Sequence, residues 1–417
     1  MQLIKFLSKI EIKYWKSFYF VLSIIICLIE ASNNNDFTIY KLASTDLINN
    51  INPYSHSYID GYYYYYSMMF GYIIYPFNWL PTYISNFLWL FTNFVLLYFV
   101  IIKLHQLLNI SNLTFDKQFL FYVILLAFNL RFIRENFHSG QVSILILFLM
   151  LYSFDLLLKG KHILSGFLLA LAINIKLLAL PLLIYYFYKG YFKSIVYTIF
   201  FLIVLYTLPL ICLDDNFYFD CISKWWHLIN PNNDHHLIDV EERSFHSITT
   251  LLTTLLMKNP PDIYALPIRR YILDLSPEYV KMIIQIVRII LISSVLLIIR
   301  EFPFSKNQNI RKLFFEFSYI LALIPLIFPH QQHYAFIFQM PALAYITYFL
   351  LTHNLSKSEI IFSIIIFLCF NLKIILGEFN EYYEHFKTLT YGALLVIGFL
   401  QLNRTKLIVE NNLSQNH

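Results

Sequence analysis

Three aspartates, Asp36, Asp46 and Asp60, share one polar stretch with His56 and the tyrosine run Tyr62–Tyr66. The stretch, 33–66, reads NNNDFTIYKLASTDLINNINPYSHSYIDGYYYYY, and nearly everything after it is apolar. A carboxylate at a water boundary can take a proton from a hydroxyl group. Tyrosine rings can stack on sugars. An inert solvated loop would carry the same residues, so this stretch alone does not decide the chemistry.

Further groups of the same kind recur along the chain. RFIRENFHSGQ, 131–141, holds Arg131, Arg134, Glu135, Asn136, His138 and Gln141. Lys176 interrupts an apolar run, and the 241–246 stretch supplies Glu241, Glu242, Arg243 and His246. PHQQHY, 329–334, adds His330, Gln331, Gln332 and His333. Carboxylates suit a general base, and basic groups suit a departing phosphate. Each has a plainer explanation. Arg131 and Arg134 can snorkel from a helix end, and the tyrosine run can form an interfacial belt. Lys176 is the hardest to explain away, because an unpaired lysine in an apolar setting is costly. With nine glycines and no phosphate-cradling loop, nothing points to ATP-driven work. No spacing suggests a zinc site, since His235 and His236 are adjacent and point apart. No cofactor is expected, and no metal is required.

The elements that must position these residues follow from composition. Of 417 residues 59% are hydrophobic and 13% charged, with a net charge of +5. A soluble globular chain carries about twice that charged fraction. Apolar runs recur along the whole length, so the chain reads as one all-α, polytopic membrane domain, 1–417; a β-barrel would show short alternating segments instead. No nucleic-acid partner is expected. Lysines before the first apolar segment place the N-terminus in the cytoplasm by the positive-inside rule, and that segment reads as an uncleaved span. Twelve membrane segments are expected, near 17–31, 67–81 (dipping), 82–104, 117–130, 141–158, two within 162–188, 194–213, 281–300, 313–329, 334–352, 358–376 and 388–402, the dipping one not counted as a full span. Both termini are then cytoplasmic. If 162–188 is one span, the number is eleven. The polar groups above all fall outside, together with a large loop at 214–280 and an acidic turn at 377–387. Cys212 and Cys221 could pair, although buried free thiols are the simpler expectation.

Four pieces, in order, resemble glycosyltransferase family 87. NFHSGQVSILILFLMLYSFDLLLKGKHILSGFLLALAINIKLLALPLLIYYFYKG, 136–190, is similar to the family signature at Asn136, Gly140, Gln141, Val142, Gly160, Gly166, Lys176 and Pro181, with Ser143 in place of the usual Asn. DFTIYKLASTDLINNINPY, 36–54, resembles its first loop. ERSFHSITTLL, 242–252, resembles an Asn-Gln-Ser-Leu element from which Glu242 and Arg243 depart. PHQQHYAFIFQMPAL, 329–343, resembles its late His-Tyr loop. The resemblance spans about 30–350. It implies a GT-C type helical bundle that moves a sugar, typically mannose, from a polyprenyl phosphate to a glycolipid or glycan acceptor, with its site on the outer face of the cell membrane. It implies Asp36 as the base. Tyr40, Asn52, Tyr54, Arg131, Arg134, Asn136, Gln141, Lys176, Arg243, Ser244, His330 and His333 are then the candidate substrate contacts. A GT-C branch using another donor, or a lipid or sugar transporter or flippase, is the alternative. A transporter should show repeated halves and charges near the midplane; neither is visible.

Overall fold

The computed structural model of the protein describes residues 12–33, 35–230, 245–258, 260, 265–305 and 309–408. Among the described residues every regular element is a helix. That follows from the apolar composition, because a helix satisfies its own backbone hydrogen bonds where no water can. Four helices are long and apolar enough to cross a membrane: Thr82–Leu107, Phe192–Ile211, Pro277–Ile299 and His333–Thr352. Lys357–Ile374 and Gly377–His385 form a fifth candidate, bent by 109° at a break as in a broken span or re-entrant loop. Tyr19–Glu30, Ser143–Leu158, His162–Ile175, Leu177–Tyr188 and Thr388–Leu402 are apolar but shorter. Length accounts for the difference from twelve: at 1.5 Å per residue a helix of about 15 residues reaches only ~22 Å, short of ~30 Å of hydrocarbon.

Two segments read as loops are helical. Asp36 opens the helix Asp36–Ile48, with Asn35 in extended geometry before it. Arg131 to His138 continue the helix Phe115–His138, since nothing before Gly140 breaks the chain. Within the large outer loop, Asp215–Ile229 forms a helix whose N-cap, Asp214, accepts from the Asn216 amide. At Lys176 the run 162–188 is broken, with extended backbone between His162–Ile175 and Leu177–Ala179.

The chain packs as two compact units. The first comprises Met1–Lys103, Arg134–Asn230 and Pro303–Lys306. In it, Ser143–Leu158 and Phe192–Thr207 both pack on His162–Ile175. Gly166 allows the second approach: a Cβ there would lie 2.7 Å from Tyr197 Cβ and 2.9 Å from the Ser194 carbonyl oxygen. Ser153 joins the other pair, donating to the Ser165 carbonyl at 2.9 Å. Asp155 accepts from Lys103 at 3.1 Å and Lys159 at 2.8 Å, so that little buried charge is left unmatched. Cys212 and Cys221 are both free thiols.

The second unit comprises Leu104–Ile133, Pro231–Phe302 and Asn307–His417. Its core is Ile310–Ile327, buried on every face from Leu313 to Leu326. Pro277–Ile299, Met340–Thr352 and Thr388–Leu402 pack around it. Gln339 donates to the Ala322 carbonyl at 3.0 Å, fastening the stretch after His333 to that core.

The close approach at Gly166 predicts that Gly166→Val destabilises the protein by about 1–3 kcal/mol through overpacking. Gly398→Ala, where the nearest atom to a new Cβ lies 3.8 Å away, should be neutral. Thermal unfolding of the purified protein in detergent compares the two.

Candidate active site

In the first unit the site grows from a helix end. The helix Phe115–His138 closes in a Schellman motif: the Gln141 amide donates to the Asn136 carbonyl at 2.9 Å and the Gly140 amide to the Phe137 carbonyl at 3.3 Å. Gly140 has φ +60, and a Cβ there would lie 2.7 Å from the Asn35 side chain, so only glycine fits without strain. Trp89 donates from Nε1 to the Gly140 carbonyl at 2.8 Å, and the Asp36 amide donates to the Ser139 carbonyl at 3.1 Å. These bonds bring the start of the Asp36 helix against the turn.

The Gln141 amide nitrogen donates to Asp36 Oδ2. Its orientation is fixed from the other side. Gln141 Oε1 accepts from the Tyr40 hydroxyl at 3.4 Å and the Tyr66 hydroxyl at 3.5 Å, and the two hydroxyls lie 2.9 Å apart. With the oxygen committed to hydroxyl donors, the NH2 group must face the carboxylate. Asp36 lies in the first turn of its helix, where the backbone dipoles favour a negative charge. The Lys176 ammonium sits 5.6 Å from the centre of the Tyr66 ring and within reach of the Asp36 charge.

Other expected residues of this unit brace the fold. Asn52 donates to Asp220 at 2.6 Å and accepts from the Tyr54 amide at 3.0 Å. The Asn52 bond and the Lys224 ammonium hold Asp220 below the usual carboxylate range. The Tyr54 hydroxyl donates to the Tyr66 carbonyl at 2.8 Å. Asp46 accepts from the Tyr58 hydroxyl at 2.6 Å and lies 3.2 Å from His56 Nε2. The tyrosine run divides: Tyr62 and Tyr63 are exposed, as a belt requires, while Tyr64 and Tyr66 are buried. Asn136 is buried and Arg134 exposed.

The second unit holds a different cluster. Glu384, 5% exposed, accepts on Oε1 from Arg131 Nη2 at 3.2 Å and from Lys373 Nζ at 2.8 Å. His246 Nε2 lies 2.6 Å from its Oε2, His333 Nε2 3.1 Å from it, and the two imidazole nitrogens 3.1 Å apart. Burial holds the His246 imidazole down to about 4, against the pull of Glu384. Arg131, 1% exposed, stacks 4.7 Å from the Tyr383 ring centre, and its Nε and Nη1 make no hydrogen bond. His330 stacks on Phe245, with ring centres 4.9 Å apart. Glu241, Glu242, Arg243 and Ser244 lie outside the described residues.

His246, His333 and Glu384 offer ligand atoms within 4.8 Å of one another, a donor set that suits a transition metal by type. Two features fit a cation poorly. Arg131 and Lys373 already sit on the carboxylate. Ligating imidazoles almost always donate from their second nitrogen, but His246 Nδ1 has no hydrogen-bond partner. The unpaired, buried guanidinium N–H groups suit an incoming anion instead.

Glu384, Lys373 and Tyr383 were not singled out in the sequence. Tyr383 and Glu384 belong to the acidic turn and Lys373 to the apolar run before it, and no spacing separates buried Glu384 from exposed Glu378 and Glu381. Arg131, assigned to an outer loop, is a buried helical residue.

A chain this apolar, with helices as its regular elements among the described residues, is a membrane protein. The protein belongs to glycosyltransferase family 87, whose model matches residues 64–329, and it is therefore a membrane glycosyltransferase. The matched stretch contains Arg131, Arg134, Asn136, Gln141 and Lys176; it begins after Asp36, Tyr40, Asn52 and Tyr54 and ends before His330 and His333. No curated protein matches the chain.

Gln141→Leu removes the amide donor to Asp36. A hydrogen bond to a charged group contributes about 1.5–3 kcal/mol, so glycosyl transfer should fall about 10- to 100-fold with the fold retained. Steady-state kinetics beside a thermal midpoint checks this.

Proposed function

We propose that the protein transfers a hexose, mannose by preference, from a polyprenyl-phosphate donor to a glycolipid or glycan acceptor on the extracytoplasmic face of the cell membrane, with both termini in the cytoplasm. Asp36 takes the proton of the acceptor hydroxyl. The freed oxygen attacks the anomeric carbon as its bond to the phosphate oxygen breaks, and the lipid phosphate leaves with that bonding pair. A single displacement inverts the anomeric configuration. Charge on the departing phosphate is stabilised by Lys176, with Arg134 as a further basic candidate of the same unit. The observation that carries this reading is the Asp36 carboxylate, held by the Gln141 amide and lying near the Lys176 ammonium, in a chain of family 87.

Lys176 suits the phosphate role because of where the chain breaks. The helix His162–Ile175 has 14 residues, or about 21 Å. Starting at one boundary, it ends short of ~30 Å of hydrocarbon, so Lys176 lies below the opposite headgroup plane. A lipid phosphate whose tail enters that leaflet can meet it there, where a charge pair is stronger than on an open surface. Among the described residues Lys176 donates no hydrogen bond, which leaves its ammonium available to a ligand.

Two expectations follow. Asp36→Asn should lower kcat by about 10²- to 10⁴-fold while donor binding persists, because an amide cannot accept the proton. Lys176→Ala should raise the donor KM and lower kcat together, and Lys176→Arg should keep part of the activity. Transfer of radiolabelled sugar from polyprenyl-phosphate mannose by the purified variants measures both; wild-type turnover in Asp36→Asn would move the base elsewhere, Asp46 being next to test.

A further inference from the structure

Helix Asp215–Ile229, in the first unit, has 15 residues. At 1.5 Å per residue it reaches about 22 Å, too short to cross ~30 Å of hydrocarbon. Its side chains fall on distinct faces. Tyr218, Cys221 and Trp225 are buried. Asn216, Asp220 and Lys224, spaced four apart, form an exposed polar stripe. Phe219 and Trp226, seven apart, form a second exposed stripe, and it is aromatic: they are 63% and 52% exposed. Two large rings aligned over two turns differ from the scattered apolar exposure that any surface shows.

The place of the helix says what covers that stripe. Phe192–Ile211 is one of the four helices able to cross a membrane, and Asp214, the N-cap of Asp215–Ile229, comes three residues after it. The short helix packs on the end of the span. The Tyr218 hydroxyl donates to the Tyr206 carbonyl at 2.8 Å, and the Trp225 and Tyr206 rings lie 5.9 Å apart. It is therefore held where hydrocarbon gives way to headgroups. Ile211, the last residue of the span, is 79% exposed, and Leu208 before it is exposed as well. Lipid covers such residues on a span, and Phe219 and Trp226 add rings at the same boundary. Aromatic residues gather at that depth. A helix with one aromatic face and one polar face that carries a lysine suits the plane of the interface.

We propose that Asp215–Ile229 lies in the bilayer interface, with Phe219 and Trp226 among the upper acyl chains and Asn216, Asp220 and Lys224 toward water. The occupant of the aromatic stripe is lipid. The helix is also fastened to the stretch that orients Gln141. Trp225 donates from Nε1 to the Tyr65 carbonyl at 3.3 Å, and Asp220 accepts from Asn52 at 2.6 Å. Its depth in the interface thus sets the depth of Tyr66, whose hydroxyl reaches Gln141.

Nitroxide labels on the full chain, in nanodiscs of phosphatidylcholine and phosphatidylglycerol, test the proposal. Phe219→Cys and Trp226→Cys are compared with Asn216→Cys and Lys224→Cys, each in a background of Cys212→Ser and Cys369→Ser, which removes the natural thiols that are not buried. At 219 and 226, collision of the label with dissolved oxygen should exceed collision with a water-soluble nickel chelate. At 216 and 224 the order should reverse. A stripe open to water would show the nickel chelate dominant at 219 and 226 too. A stripe covered by a second copy or another protein would shield those labels from both probes. Either result overturns the proposal. Should the labelled variants not fold, fluorescence reads the same contact, because Trp226→Phe keeps an aromatic ring. The emission that Trp226 contributes, wild type minus Trp226→Phe, should be quenched in nanodiscs whose lipids carry bromine on the upper acyl chains. If that contribution is the same in brominated and plain lipid, Trp226 does not reach the acyl chains and the proposal fails.

Discussion

The hydrogen bond from the Gln141 amide to the Asp36 carboxylate is the constraint on which the account of the first unit depends. A chain so poor in charge cannot leave a half-buried carboxylate unmatched. One match comes from the Gln141 amide, which is held by two tyrosine hydroxyls and a glycine-dependent helix end.

Comparison with the other acids shows why partner chemistry matters more than residue type. Asp155 is matched by two lysines, Glu384 by an arginine, a lysine and two histidines, and Glu359 by Lys406 and a capping box. Each is committed to a structural role by positive partners. Asp46 is tied to Tyr58 and His56 and secures a turn. Asp36 differs from them in being held by a side-chain amide in the first turn of its helix.

The helical class was legible in the sequence because composition and recurrent apolar runs determine it directly. The signature at 136–190 was legible because its residues do local backbone work: Gly140 accepts the left-handed turn, Gly166 admits a neighbouring helix, and Lys176 marks a chain break. Which apolar runs form helices long enough to cross was not, since hydropathy records apolar runs and not the lengths over which helices remain unbroken. Helix Asp36–Ile48 was also hidden, its polar, mixed sequence showing little apolar periodicity. Glu384 was beyond reach for a different reason. Its partners Arg131, His246 and His333 lie between 51 and 253 positions away. Only the fold brings them to one carboxylate.

The central claim is a direct displacement with Asp36 as the base, and stereochemistry tests it most directly. The product formed from a polyprenyl-phosphate sugar of known anomeric configuration can be read by the anomeric coupling constants in its proton NMR spectrum. Inversion is the predicted result. Retention would require a covalent glycosyl-enzyme intermediate or a second displacement, and would contradict the account.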